Sequence, residues 1–166
     1  MGHTKQHTEP ATLPTLFVMV GLPGSGKTTL ARALELEHHA LRLTKDDWMM
    51  PLFGWGESGD KREVVETLLW TLGARALSLG VNVVLDYGLW GHSEREDYSA
   101  RARALGARVD FRFLDVPHEE LMRRVEARNG RLGVGDVPIS AAQLEEMIPR
   151  FQRPTEEERA SWERLR

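Results

Sequence analysis

Four short apolar runs punctuate the chain: "TLFVMV" at 15–20, "ALRLT" at 40–44, "VNVVLD" at 81–86 and "VDFRFLD" at 109–115. Each has the length of a strand, and each is separated from the next by a helical pattern. The clearest helical pattern covers 61–79, where Val64, Val65, Leu68, Leu69, Leu72 and Ala76 follow a helical period. Strands alternating with helices predict an α/β fold, a parallel sheet covered by helices.

Start and stop signals agree with this division. A helix over 28–39 follows the first strand and its glycine-rich turn directly. "SERE" at 93–96 has the form of a capping box, and Gly106 ends the helix it opens. Pro117 stands where a first helical turn accepts proline, ahead of "HEELMRRVEAR". "SAAQ" at 140–143 and "TEEE" at 155–158 repeat the capping-box form. Between them, "NGRLGVGDVP" at 129–138 predicts a mobile loop. No repeat and no linker divides the chain, so 15–166 reads as one domain preceded by a loose tail, 1–14.

Composition narrows the class. With 166 residues, 41 % hydrophobic and 28 % charged, the chain suits one soluble domain. No apolar run approaches the ~20 residues a membrane helix needs. The first residues lack the apolar middle of a secretion signal. There is no cysteine, which excludes disulfides, a thiol nucleophile and a cysteine-held metal. These features fit a cytoplasmic protein. A net charge of −3 without a basic tract weighs against a protein that holds long nucleic acid by its backbone.

The chemistry starts at "GLPGSGKTTL", 21–30, which matches the phosphate-binding loop pattern Gly-x-x-x-x-Gly-Lys-Thr between a strand and a helix. Its glycines let backbone N–H groups turn toward an anion, and the helix behind it aims its positive dipole end at the same place. Gly21, Leu22, Pro23, Gly24, Ser25, Gly26, Lys27, Thr28 and Thr29 are the candidate nucleotide contacts. Lys27 is placed for the β- and γ-phosphates, and Thr28 offers a hydroxyl to Mg²⁺. Guanine-reading GTPases carry an Asn-Lys-x-Asp that this chain lacks. Motor ATPases and transporters are usually larger. A small domain with a helical lid points to a kinase using ATP and Mg²⁺.

Asp46 and Asp47 follow the second strand, at the carboxyl edge where ligands of open parallel sheets sit. One of the two can accept the proton of an acceptor hydroxyl, and the other can cap a helix. Asp86 ends the third run, where it can hold a Mg²⁺ water, bond Thr28 or cap the strand end. Arg95, in the next helix, reaches the acceptor or forms a structural salt bridge. Arg124 and Arg128 are four apart on one helix face. They form either a solvated basic face or a pair that closes over the phosphates, with Arg131 in the loop beyond. Trp48, Trp55 and Trp90 suit an aromatic wall for the acceptor, or plain packing; Trp70 belongs to the core. His92 is a candidate substrate contact.

Taken in order, "GLPGSGKTT", "KDDW", "VVLDYGLWGHSERE", "FLDVPHEELMRRVEARN" and "VPISAAQLEEMIPRF" resemble the small P-loop kinases. That group includes the kinase domain of phage polynucleotide kinase, zeta toxins, chloramphenicol phosphotransferase and gluconate kinase. The resemblance implies a three-layer P-loop fold of about four strands in order 2-3-1-4. It implies Asp46 as catalytic base and Arg124 and Arg128 as lid arginines, and places "FQRPTEEE" (151–158) beside the adenine. Polynucleotide-kinase-like members carry an Arg three residues after the catalytic Asp, where this chain has Met49. The reading is transfer of the ATP γ-phosphate to a hydroxyl of a small molecule such as an antibiotic, sugar or nucleoside. Its alternatives are a polynucleotide 5′-hydroxyl kinase, a zeta-toxin-like nucleotide-sugar kinase, and a non-enzymatic nucleotide-dependent switch.

Overall fold

The computed structural model describes residues 12–54, 59–133 and 138–166. Along the chain run β1 (Thr15–Val20), α1 (Lys27–Glu37), β2 (Leu41–Leu43), α2 (Lys45–Phe53), α3 (Asp60–Ser78) and β3 (Val83–Gly88). They are followed by α4 (His92–Ala104), β4 (Arg108–Phe113), α5 (His118–Asn129), α6 (Ala141–Met147) and α7 (Glu156–Trp162). The strands form one parallel sheet in the order β2-β3-β1-β4, as the resemblance implies. β1 lies at its centre, with Leu16 opposite Val83 on one side and Val109 on the other, and its six residues are all buried.

Alternate residues of the strands feed the two faces. Leu16, Val18, Val20, Val83, Leu85, Val109 and Phe111 pack with Val65, Leu69 and Leu77 of α3, Tyr98 and Ala102 of α4, and Trp162 of α7. Phe17, Met19 and Val84 face the other way, toward Ala31 and Leu34 of α1. A third cluster, Leu121, Val125 and Leu144, joins α5 to α6. Fully burying one such aliphatic side chain is worth about 2 kcal/mol, so the two faces of the sheet carry most of the fold's stability.

Several local expectations change in detail. The capping box at 93–96 does not form: α4 begins two residues earlier, where Glu94 Oε2 accepts from Gly91 N at 2.8 Å. "SAAQ" does form one, with Ser140 Oγ accepting from Gln143 N at 3.1 Å and Gln143 Oε1 from Ser140 N at 2.8 Å. "TEEE" forms only half, because Thr155 Oγ1 accepts from Glu158 N while the Glu158 side chain turns to Arg95. Neither Asp46 nor Asp47 caps α2; the N-cap is Thr44, and both aspartates lie in the first turn, where the helix dipole favours them.

The apolar positions of 61–79 divide between two faces. Val65, Leu69 and Leu77 are buried, while Val64 (54 %), Leu68 (57 %) and Leu72 (43 %) are exposed. The tail expectation falls mostly outside the described residues. Within them, Pro14 O accepts from Arg108 N at 2.9 Å, so the chain is already held along β4 there. Of the loop at 129–138, residues 134–137 lie outside the described residues. Its ends are joined by Asn129, which donates to Ile139 O at 2.6 Å and accepts from Ile139 N at 3.2 Å.

Candidate active site

The phosphate loop leaves β1 at Gly21, whose N–H donates to Gly88 O at 3.1 Å and so ties the loop to the end of β3. Two glycines are set by close approach. At Gly24 (φ +80°) a Cβ would stand 2.9 Å from Val125 Cγ2 of α5, and at Gly88 (φ +88°) one would stand 3.0 Å from Gly21 O and 3.1 Å from Lys27 Cε. Both need the left-handed region that side chains disfavour, and both let a neighbouring element close on the loop. Gly88 was not singled out in the sequence; its signal is a glycine at the end of a strand that carries an acid.

The cradle suits a phosphate. Gly26, at φ 94°, caps α1 without any side chain, and no acidic residue stands in that first turn. The first backbone N–H groups of a helix have no intrahelical partner and carry its positive dipole end. The Ser25 hydroxyl is buried there with no hydrogen-bond partner. These are the donors a nucleotide's phosphates require, so the residues present fit that ligand.

Lys27 Nζ donates to Leu22 O at 2.7 Å. Burial pushes its ammonium down to about 8; Asp86 and Asp46 pull it back up, and Arg128 pushes it further down. Groups from β3, α5 and α2 therefore all act on one lysine. Thr28 Oγ1 donates to Asp86 Oδ2 at 2.8 Å. Of the expected roles of Asp86, the bond to Thr28 is thus present in the geometry. A hydroxyl and a carboxylate are hard oxygen ligands of the kind Mg²⁺ takes.

The two arginines expected to close over the loop differ in their contacts. Arg124 donates to Ser25 O at 3.5 Å and to Glu120 Oε1 at 2.6 Å. Glu120 also holds Arg123, and the hydrogen bonds of the two arginines lower its carboxyl to about 2. Arg128, exposed in the last turn of α5, acts on Lys27 electrostatically. Arg131 follows α5 in the exposed loop.

In α2, Asp46 is exposed and accepts from Arg62 of α3 at 3.1 Å. Asp47 accepts from Arg42 at 3.1 Å. Trp48 is 43 % exposed beside them, while Met49 is buried in the core at 5 %. The indole nitrogen of Trp90 lies beside Gly88, 3.4 Å from where a Cβ would be. Trp55 lies outside the described residues. Trp70, expected in the core, is half-buried at its edge and meets Tyr98 edge-on at 5.2 Å.

Of the two roles expected for Arg95, contact with an acceptor or a structural salt bridge, the salt bridge forms. The Arg95 side chain is 1 % exposed, and it donates to Glu158 through Nε at 2.6 Å and NH2 at 3.0 Å. It also donates to Leu89 O and Trp90 O, so four hydrogen bonds hold its guanidinium within the fold. Burial works to raise the Glu158 carboxyl, but the Arg95 and His92 contacts outweigh it and hold it below its ordinary value. His92 stands 3.2 Å from Glu158 and 3.4 Å from Glu96. A groove of about 1020 Å³ between α4 and the C-terminal segment passes Arg95, Glu158 and Trp162 and contains no phosphate-loop residue. Sequence reasoning also passed over Thr44 and Arg42; Thr44 Oγ1 donates to Asp86 Oδ2 at 3.2 Å, and no local motif marks either residue.

A parallel sheet with helices on both faces, and a glycine-rich loop running from its central strand into a helix, define a P-loop NTPase fold with a helical segment over the loop. The chain belongs to the family whose model, described as an AAA domain, matches residues 16–154. No curated protein matches its sequence.

Among solved structures, one from the Pnkp1/Rnl/Hen1 RNA repair complex superposes with a TM-score of 0.72 at 23 % identity, covering 96 % of this chain and 49 % of that one. The chain thus spans about half the length of that protein. Kti12 from Chaetomium thermophilum, in complex with ADP-AlF3, superposes at 0.68 with 20 % identity, covering 89 % of this chain and 84 % of the other. A gluconokinase from Sinorhizobium meliloti 1021 does so at 0.60 with 19 % identity, covering 87 % and 79 %. At these identities the likeness shows the fold. Among the described residues, no helix is long and apolar enough to cross a membrane.

Proposed function

We propose that the protein is an ATP-dependent kinase that transfers the γ-phosphate to a hydroxyl of a small molecule. The observation that carries this reading is the cradle at the start of α1, where helix N–H groups with no side-chain cap, the Ser25 hydroxyl, Lys27 on Leu22 O and Thr28 on Asp86 meet. Bound ATP with Mg²⁺ supplies the phosphoryl group and screens its charge. The loop N–H groups and Lys27 hold the phosphates. Thr28, bonded to Asp86, presents its oxygen to the cation. Asp46 orients the acceptor hydroxyl and takes its proton, and Arg128, with Arg124, covers charge that develops in transfer.

Two features support a compact acceptor. Met49 is buried, so that position turns no side chain toward a nucleic-acid end. Trp48 and Leu52 are exposed on α2, one turn apart. These supply an apolar wall of the kind that small-molecule sites use.

The test is ADP release on a panel of hydroxylated small molecules, run beside 5′-hydroxyl oligonucleotides at two salt concentrations. Release that depends on a small acceptor supports the proposal. Efficient, salt-sensitive labelling of the oligonucleotide alone would replace it with a polynucleotide kinase, and ATP consumption indifferent to any acceptor would replace it with a switch.

A further inference from the structure

Thr44 stands at the N-cap of α2 with extended backbone, φ −115° and ψ 119°, yet its side chain makes no capping hydrogen bond. A threonine there ordinarily accepts from a backbone N–H two or three residues on. Instead the hydroxyl is buried and turned to the sheet. It accepts from the Arg42 guanidinium and donates to Asp86 Oδ2 at 3.2 Å. The same Asp86 oxygen accepts from Thr28 Oγ1 at 2.8 Å. Arg42 is held in turn by Glu35 of α1 at 2.8 Å and by Asp47 of α2 at 3.1 Å. A run of hydrogen bonds therefore passes from Arg42 through Thr44 to Asp86 and meets Thr28 coming from the phosphate loop.

We propose that Thr44, oriented by Arg42, is a positioning residue for the metal–nucleotide site, acting through Asp86 on Thr28. The proposal rests on the P-loop kinase reading. A hydroxyl has one proton and two lone pairs. Thr28 spends its proton on Asp86, which leaves its lone pairs for a cation. That direction holds only while Asp86 stays in place. Thr44 keeps it there, because Arg42 occupies the acceptor side of the Thr44 hydroxyl and so commits its proton to Asp86. The Arg42 charge also reaches the buried carboxylate along this route, since hydrogen bonds in series polarise one another. The forgone helix cap distinguishes this arrangement from ordinary helix initiation. The groups that hold a metal ligand commonly change metal affinity ~10-fold or more when removed.

The experiment titrates Mg²⁺ against binding of a fluorescent ADP, with a Mg²⁺-free ADP titration beside it, for the wild type, Thr44→Val, Thr44→Ser and Arg42→Gln. Valine keeps the shape and lacks the hydroxyl. In Thr44→Val the half-saturating Mg²⁺ concentration should rise ~10-fold or more, with Mg²⁺-free ADP binding unchanged. Thr44→Ser should restore the wild-type value. Arg42→Gln should show the same selective loss in smaller measure, and it carries the test if the valine variant does not fold. Wild-type Mg²⁺ dependence in Thr44→Val overturns the proposal. An equal loss with and without Mg²⁺, or a serine variant as poor as valine, does so too. A wild type that binds no ADP under either condition removes the P-loop reading instead, and the proposal with it.

Discussion

Lys27 lies against a carbonyl of its own loop, with carboxylates of β3 and α2 acting on it, whereas Asp46 stands on an exposed helix turn facing Arg62. The proposed donor half of the site is built from main chain and from side chains locked by buried partners: Gly21 on Gly88, Thr28 on Asp86, Asp86 on Thr44. The proposed acceptor half is built from side chains on α2 and α3 that reach solvent, such as Asp46 and Arg62. Phosphoryl transfer needs donors already aimed where charge develops, and that favours rigid main chain. Choice among acceptors needs only a change of exposed side chains, which costs the core nothing.

The largest effect should come from breaking the donor half. Lys27→Ala should lower acceptor-dependent ADP release ~10³-fold or more while leaving the melting temperature near that of wild type. Normal turnover in the folded variant would mean that the enclosed half is not the donor site. Next in size is a contrast within α3. Leu69→Ala should cost about 3 kcal/mol in urea unfolding, whereas its exposed neighbour Leu68→Ala should cost less than about 0.5 kcal/mol. Equal losses would show that the outward face of α3 is covered.

The two aspartates sharpen the acceptor half. Asp46→Asn should reduce kcat ~10²-fold, with nucleotide affinity little changed, and Asp47→Asn only a few-fold, since Asp47 pairs with Arg42. A reversal in steady-state kinetics would transfer the base role to Asp47. The smallest effect is one of pH. Burial lowers Lys27 to about 8, and bound phosphate favours its protonated form. Nucleotide affinity should therefore be flat below about 8 and fall above it, by at most ~10-fold per pH unit. Binding just above that pH should take up a proton, which calorimetry in two buffers of different ionisation enthalpy measures. For stability the sign is opposite. Between about 8 and the ordinary 10.5 the unfolded chain binds more protons at Lys27 than the folded one, so that lysine's burial cost fades as pH rises.

The P-loop was legible because a single run of ten residues carries its whole chemistry: glycines for the turn, a lysine, a hydroxyl and a helix behind them. Strand order followed from the resemblance and agrees with the fold. Arg95 was less legible. Its partner Glu158 is 63 residues away, and nothing local distinguishes an arginine aimed at a ligand from one buried against a carboxylate. Glu158 itself looked like the end of a capping box, but the stronger charge-assisted partner took its side chain.

By itself the sequence determined what depends on neighbours in the chain: the alternation that makes a parallel sheet, the phosphate loop, the Ser140 capping box and the absence of thiol chemistry. Tertiary structure alone decided which face of α3 is core, because Val64, Leu68 and Leu72 have the same helical period as the buried set and differ only in what lies opposite. It also decided that Thr44 turns from its own helix to Asp86, 42 residues away. A hydroxyl takes the partner that folding brings to it, and a buried carboxylate left one donor short costs more than an uncapped helix end.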